Sequence, residues 1–198
     1  MGMRLIIVKY GSLLFCLLMV ANASAQFESN IYWTEITNMP ASETIYYTSS
    51  RPLNWSDFKG TPDNASPAAA ITASGFGYKA DFKSVGNKAQ LNIGVYCYFN
   101  KKTSWVKPGK NTVYILNHEQ QHFDISFITA GLFFQKIKTI GLNKENYKLL
   151  LPKIYNECVD IMNRMQKAYD GQTKNGQLKE EQAKWDSYIS QQLQEATN

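Results

Sequence analysis

The stretch ILNHEQQHFDIS, residues 115–126, contains both histidines of this 198-residue chain. His118 and His122 are four positions apart, and Glu119 directly follows the first of them. Positions four apart on an α-helix differ by about 40° around the axis, so both imidazoles project from one face and reach one ion. Glu119 lies about 100° from His118, at the side of that pair. This is the H-E-x-x-H pattern.

The pattern indicates hydrolysis assisted by a metal ion. Zinc lowers the pKa of a bound water toward neutrality, and a carboxylate within hydrogen-bonding reach takes a proton from the zinc-activated water. The same carboxylate, Glu119, later protonates the leaving amine. The alternative is that the two histidines are surface or core residues with an incidental glutamate. A third ligand must be something other than histidine, because the chain holds no other.

The first 25 residues have the features of a cleavable signal peptide. Arg4 and Lys9 give a positively charged N-terminal region, which is followed by the apolar run GSLLFCLLMVA. ASA at residues 23–25 then supplies the small residues of a cleavage site before Gln26. We therefore predict export to the periplasm or beyond. Residues 26–198 are expected to form a single domain. No later stretch of the sequence is apolar enough to predict a membrane span.

The net charge of the chain indicates which classes of partner to expect. Without Arg4 and Lys9 the formal net charge falls from +5 to +3, and no basic block is present, so a nucleic-acid partner is not expected. A peptide or protein substrate is expected instead, and the sequence does not specify an oligomeric state.

Cys97 and Cys158 remain after cleavage. We predict a disulfide between them, which would stabilise the fold by roughly 4 kcal/mol; two buried thiols are the alternative.

The patterning predicts an α+β fold, with a small N-terminal β-sheet followed by a helical C-terminal half. Strands are expected at 44–49, 69–82 and 90–99, where β-branched and aromatic residues are frequent. From Asn111 or Thr112 the apolar period becomes helical. Three helices are expected, with breaks at GLNKEN (141–146) and at DGQTKNG (170–176), which is predicted to be a loop.

Several motifs together resemble the family of predicted secreted bacterial zinc-dependent proteases, long classified as a domain of unknown function. Four segments carry the resemblance: NWSDFKG (54–60), SWV (104–106), HEQQHFDI (118–125), and YDGQTKN (169–175) followed by QAKWD (182–186). They are similar to the family's W-x-D-F-x-G element, the residues before its helix, its H-E-x-x-H-F-D-I core and its closing Y-D-x-x-T-x-H segment. The resemblance implies a zincin-like fold and peptidase activity. One position departs from the family, because Asn175 stands where its closing segment has histidine.

The third zinc ligand has three candidates. Asp170 matches the aspartate of the family's closing segment, and a carboxylate is the best donor once the histidines are used, so we predict Asp170. Aspartate before glycine is also a frequent turn signal. Glu157 in NECVD (156–160) resembles the later glutamate of thermolysin-like enzymes, although it can pair with Lys153 instead. Asn175, or an incomplete site, is the remaining possibility.

Asp124 belongs to the same predicted helix but is not expected to bind the metal. It lies about 200° from His122 around the helix axis and therefore faces away from the metal. We predict an indirect or structural role through a hydrogen bond to a neighbouring element. A simple ion pair with a lysine is the alternative.

The predicted function is that of an exported zinc-dependent metallopeptidase. His118, His122 and Asp170 are expected to bind Zn²⁺, and Glu119 is expected to be the general base. The alternative is a catalytically weak or inactive zincin-fold module that binds a partner or a peptide, because Asn175 replaces the family's histidine. A purely structural exported domain would require the histidine spacing to be accidental.

Overall fold

The computed structural model describes residues 26–197, so the predicted signal peptide lies outside the described residues. The predicted α+β class is confirmed, because a sheet region is followed by three helices. The strands are β1 (Gln26–Trp33), β2 (Thr44–Tyr46), β3 (Ala70–Ile71), β4 (Ser74–Val85), β5 (Lys88–Asn100) and β6 (Trp105–Val106). The helices are α1 (Val113–Thr139), α2 (Tyr147–Thr173) and α3 (Lys179–Thr197), and a single 3₁₀ turn covers Trp55–Asp57.

Strand β5 is the centre of the main sheet. It pairs along one edge with β4 as an antiparallel hairpin, whose tight connection contains Gly86 at a φ of 59°. Along its other edge β5 pairs first with β1, in parallel, and then with β2, which is antiparallel. The strand at Gln26–Trp33 was not among the predicted strands. Strands β3 and β6 form a separate two-stranded sheet.

One face of the sheet packs on helix α1. Alternate side chains of β5 are buried, as expected for a strand with one face in the core. They pack with apolar side chains of α1 and α2 in one cluster, which includes Leu91, Ile93, Val95, Phe99, Phe123, Ala130, Phe133, Ile137, Leu151 and Ile154. A smaller cluster between the three helices is centred on Ile125, Tyr169 and Ile189.

Helix α1 begins where the sequence predicted. The Thr112 side chain accepts a hydrogen bond from the backbone N–H of Ile115 and caps the helix. The segment that leads into β4 is bonded to the same helix, because the Thr72 hydroxyl donates to the carbonyl oxygen of Glu119 at 3.0 Å. The hydroxyls of Ser74 and Ser126 are 2.8 Å apart. These contacts fix the HEQQH turns beside the start of β4.

The predicted loop at 170–176 is wrong in its first half, because α2 continues to Thr173. Tyr169 and Thr173 are both fully buried, and the Thr173 hydroxyl donates to the carbonyl oxygen of Tyr169 at 2.8 Å. Packing of these side chains therefore keeps the chain helical past Gly171. The chain then leaves the helix through consecutive left-handed residues, Lys174 and Asn175, followed by Gly176.

The predicted disulfide is also wrong, because Cys97 and Cys158 are both free thiols. Cys97 belongs to β5 and Cys158 to α2, and both are buried in the main apolar cluster. Each behaves as a small apolar side chain, which was the alternative reading of the sequence. Within residues 26–197, no helix combines the length and apolar character needed to cross a membrane.

Candidate metal centre

Three donor atoms from α1 and α2 converge on one point. The Nε2 atoms of His118 and His122 are 3.3 Å apart, and each is 3.1 Å from Oδ1 of Asp170. His118 is buried, while His122 and Asp170 are partly buried. Within the described part of the chain, these three residues are the group of histidine, cysteine and acidic side chains that could hold a metal ion. The structure thus brings together all three predicted ligands.

The extension of α2 places Asp170 at this point. The carboxylate follows Tyr169, whose ring stacks on the His118 ring at a centroid distance of 4.6 Å and meets the His122 ring edge-on at 5.0 Å. Because the helix continues to Thr173, Asp170 stands in its last turns rather than in a flexible loop. Both imidazoles and the carboxylate therefore belong to helices that pack around one buried aromatic ring.

The charges at the site are strongly coupled. Burial by itself would lower the pKa of His122, but the hydrogen bond that its ring donates to Asp170 and the charges of Glu119 and Asp170 together raise it. Burial would conversely raise the pKa of Asp170, yet its hydrogen bonds with His118 and His122 hold that pKa well below its usual range. The carboxylate therefore stays ionised and favours a cation, either a proton or a metal ion, between the three donor atoms.

Glu119 is the second buried acid at the site. Its side chain is 4% exposed, and its Oε2 atom has no hydrogen-bond partner within residues 26–197. Burial raises the pKa of the Glu119 carboxyl, against the opposing effects of His122, Thr72 and His118. An unpaired buried carboxylate oxygen is costly in a structural core, and such groups with raised pKa values concentrate at functional sites.

A cleft of about 830 Å³ opens onto these residues. Its lining includes the segment 67–72, which contains β3, and Met162 and Asn163 of α2. Glu119 and the three candidate metal ligands also line it. Among the described residues, Lys107 and Lys110 are the other charged residues of this lining, and both are basic.

Two alternative ligands proposed from the sequence do not join the group. Glu157 is turned toward α1, where its carboxylate lies 3.8 Å from Nζ of Lys136 rather than near Lys153. Asn175 lines the cleft, but it is held in the left-handed turn after α2 and is not among the converging donors. Asp170 is therefore the carboxylate that tertiary structure selects.

Asp124 faces away from the metal group, as predicted. Its Oδ1 accepts hydrogen bonds from the Tyr47 hydroxyl at 2.9 Å and from Nε2 of Gln120 at 2.8 Å. These partners replace the lysine of the alternative interpretation. Burial raises the pKa of Asp124 to about 6, although both hydrogen bonds act to lower it. Asp124 thus links α1 to the segment after β2.

Sequence reasoning missed the residues that surround the histidines. Gln166 and Gln182 contact the second nitrogen, Nδ1, of His122 and His118 respectively. Gly176 passes so close to His118 that an added Cβ would lie 3.2 Å from the imidazole ring. Gln166 had a detectable signal, since it lies four residues before Asp170 on the same face of α2. Gln182 begins the QAKWD segment of the family resemblance, but nothing in the sequence indicated that it or Gly176 contacts His118, because that proximity arises only from the packing of separate segments.

Comparison with known proteins identified no relative of this chain. No family model, no curated protein and no solved structure matches the chain. The resemblance to the secreted zinc-dependent proteases therefore rests on the sequence motifs alone and stays a prediction.

Proposed function

We propose that this protein is an exported, zinc-dependent metallopeptidase with a zincin-like fold. One observation carries the proposal: His118, His122 and Asp170 converge beside Glu119, whose buried carboxylate oxygen has no partner within the described residues. A buried carboxylate oxygen that served packing alone would be expected to accept a hydrogen bond from a protein donor. All four residues line one cleft, through which a substrate can approach them.

Zinc suits this donor set. Nitrogen and oxygen ligands bind zinc at about 2.0–2.1 Å, so two ligands of a tetrahedral ion are about 3.3 Å apart. The separations of 3.1 and 3.3 Å between the three donors agree with this value. Three protein ligands also leave a fourth position open, as catalytic zinc sites require. Two histidines and one carboxylate bind iron(II) in oxygenases as well, and Glu119 favours hydrolysis because it supplies a base.

Glu119 performs the proton transfers in the proposed reaction. Zinc, when bound, polarises the scissile carbonyl group and lowers the pKa of the attacking water. The Glu119 carboxylate accepts a proton from that water as its oxygen attacks the carbonyl carbon. It then delivers the proton to the amine that leaves when the carbon–nitrogen bond breaks. Burial raises the pKa of the Glu119 carboxyl above its ordinary value, which suits a group that must both accept and return a proton.

The lining of the cleft suggests the class of peptide. Lys107 and Lys110 belong to this lining, and among the described residues its acidic members are Glu119 and Asp170. Because both acids belong to the proposed catalytic centre, the two lysines are left to attract anionic groups on the substrate. We therefore expect peptides with an acidic residue near the scissile bond to be cleaved faster than otherwise identical basic peptides.

The test combines metal analysis with peptide cleavage. Purified protein, stripped with a chelator and then titrated, should bind one zinc ion per chain, and zinc should restore cleavage of a peptide library. Glu119→Gln should bind zinc with unchanged affinity and lose turnover by at least roughly 10²–10⁴-fold, because an amide cannot accept the proton. Retained turnover in Glu119→Gln, or iron rather than zinc in the native protein, would contradict the proposal.

Glu157→Gln is the matched control. It makes the same chemical change at a half-exposed glutamate that pairs with Lys136 and does not face the metal group. Zinc affinity and turnover should both stay at the level of the unmodified protein. A loss of zinc in Glu157→Gln would reopen the thermolysin-like ligand assignment.

Asn175 is the observation that favours a second candidate, a zincin-fold module with weak or no catalysis. This residue lines the cleft at the position where the family has histidine. If that histidine stabilises the oxyanion, asparagine in its place weakens catalysis while leaving zinc binding intact. Zinc binding without cleavage of any library peptide would support this module. A gain of turnover in Asn175→His would then identify the substitution as its cause.

A further inference from the structure

A buried glutamine of α3 contacts His118 at the ring nitrogen that does not face His122 and Asp170. Gln182 is 1% exposed, and its Oε1 lies 2.9 Å from Nδ1 of His118. Its amide nitrogen donates to the Tyr169 hydroxyl at 2.6 Å and to Oδ1 of Asp186 at 2.7 Å. All the polar atoms of this buried amide are therefore engaged, and α3 is tied to both helices that carry the metal ligands.

Asp186 determines which way the Gln182 amide points. An ionised carboxylate only accepts hydrogen bonds, so the amide nitrogen must face Asp186 and the amide oxygen must face His118. Asp186 is itself held in place, because its Oδ2 accepts a hydrogen bond from Nδ2 of Asn117 at 3.0 Å. The amide oxygen then requires a proton on Nδ1 of His118. In the neutral ring, Nε2 then carries the lone pair, on the side of His122 and Asp170, where a metal ion would replace the proton shared with Asp170.

Gln166 makes the corresponding arrangement at His122. Its amide nitrogen donates to the backbone carbonyl oxygen of His122 at 2.8 Å, and a carbonyl only accepts. The amide oxygen of Gln166 must therefore face Nδ1 of the His122 ring, with which it forms a short hydrogen bond. Two glutamines from two different helices thus select the same tautomer in both histidines.

We propose that Gln182, oriented by Asp186, is a positioning residue of the metal centre. It fixes the ring and tautomer of His118 so that the Nε2 lone pair meets those of His122 and Asp170 on one ion. This inference rests on the metal site of the proposed function and extends it to α3. Removal of an outer hydrogen bond of this kind typically lowers metal affinity about 10–100-fold.

The decisive variant is Gln182→Met, which keeps the length of the side chain and removes the strong acceptor for His118. Zinc titration against a competing chelator should give an affinity lower by about 10–100-fold. Gln172→Met is the matched control. Gln172 is an exposed glutamine of α2 that accepts a hydrogen bond from Trp185 of α3 at 2.9 Å, without touching either histidine. The control should bind zinc as the unmodified protein does.

A double variant separates positioning from packing. Gln182→Glu with Asp186→Asn exchanges the amide and the carboxylate between the two positions, so that total charge is conserved and a carboxylate now accepts directly from His118. Zinc affinity should return at least to the level of the unmodified protein, because a carboxylate raises the basicity of a metal-binding imidazole. The ¹⁵N NMR shifts of the zinc-loaded proteins should show His118 protonated at Nδ1 in the unmodified protein and in the double variant.

The outcomes are distinguishable from those of the proposed function. If the unmodified protein binds no zinc, the proposed function fails and this inference fails with it. If the unmodified protein binds zinc and Gln182→Met binds it equally well, only the positioning role of Gln182 is overturned. A double variant as weak as Gln182→Met would also overturn it, because the loss would then come from packing rather than from the hydrogen bond.

Discussion

Two buried carboxylates on helix α1 have different surroundings. Glu119 is 4% exposed and Asp124 is 7% exposed, and burial raises the pKa of both. Asp124 accepts hydrogen bonds from Tyr47 and Gln120, whereas Oε2 of Glu119 has no partner within residues 26–197. Asp124 faces the core, and Glu119 faces the cleft beside the converging histidines.

The difference shows how burial alone fails to separate a structural acid from a functional one. Hydrogen bonds to Asp124 offset part of its desolvation and join α1 to the segment after β2, which is a structural role. Oε2 of Glu119 keeps a free acceptor next to the candidate metal ligands, and the proton transfer proposed for Glu119 requires such an acceptor. Asp170 and Asp124 differ in a similar way. The Asp170 carboxylate contacts two histidines, whereas the Asp124 carboxylate accepts hydrogen bonds from a hydroxyl and an amide.

The largest expected effect comes from Asp170→Asn. A neutral amide is a poor zinc ligand, so zinc affinity should fall by roughly a thousand-fold, beyond the 10–100-fold typical of an outer hydrogen bond. Asp124→Asn makes the same change on the other side of α1 and should leave zinc affinity unchanged. Chelator-competition titration measures both. Unchanged zinc affinity in Asp170→Asn would show that Asp170 is not a ligand. Lost zinc affinity in a folded Asp124→Asn would contradict the structural role assigned to Asp124.

Asp124→Asn should instead change how stability depends on pH. The pKa of Asp124 is about 6 in the folded protein and about 4 when unfolded, so protonation favours folding. That contribution is present below about pH 4 and is lost as the pH rises through 6. The variant keeps an Oδ1 acceptor for Tyr47 and Gln120 but cannot ionise. Its free energy of unfolding should exceed that of the unmodified protein by up to about 3 kcal/mol at pH 8.

Denaturant unfolding at pH 4 and pH 8 measures this difference. The two proteins should have similar free energies of unfolding at pH 4, because Asp124 is then protonated in the native state. Glu119 titrates in both proteins and therefore cancels in the comparison. A stability difference between the two that does not change with pH would show that the buried charge of Asp124 is not what separates them.

A smaller effect is expected from Gly176→Ala. Gly176 has a φ of +76°, and an added Cβ would lie 3.2 Å from the His118 ring. Backbone strain should lower the free energy of unfolding by about 1–2 kcal/mol, and displacement of the ring should also weaken zinc binding. Gly141→Ala is the matched control, because Gly141 has a φ of +72° and open space around its Cβ position. The control should lose similar stability and retain zinc affinity; equal zinc affinity in both variants would exclude an effect of Gly176 on His118.

Local sequence signals predicted the part of the site that lies on one helix. The spacing of His118 and His122 fixes them on one face, and the same helical geometry turns Asp124 away. The helical period was expected to begin at Asn111 or Thr112, and Thr112 caps α1. Each of these features depends on residues within a few positions of one another, for which backbone geometry gives a definite answer.

Tertiary structure decided what depends on distant segments. The sequence left Asp170, Glu157 and Asn175 open, and the continuation of α2 around the buried Tyr169 selected Asp170. The same packing left Cys97 and Cys158 as separate buried thiols. The parallel pairing of β1 with β5 joins segments about 60 residues apart, and no local pattern of residues specifies such a partner.

The sequence by itself determined the chemical groups of the candidate metal centre: two imidazoles on one helical face, a glutamate beside them, and a carboxylate further along the chain. Only the tertiary structure decided which carboxylate completes the group and which amides orient the imidazoles. The physical reason is the range of each constraint. Helical periodicity acts between neighbours such as His118 and His122, whereas the contact of Gln182 with His118 exists only because burial of apolar side chains packs α3 against α1 and α2.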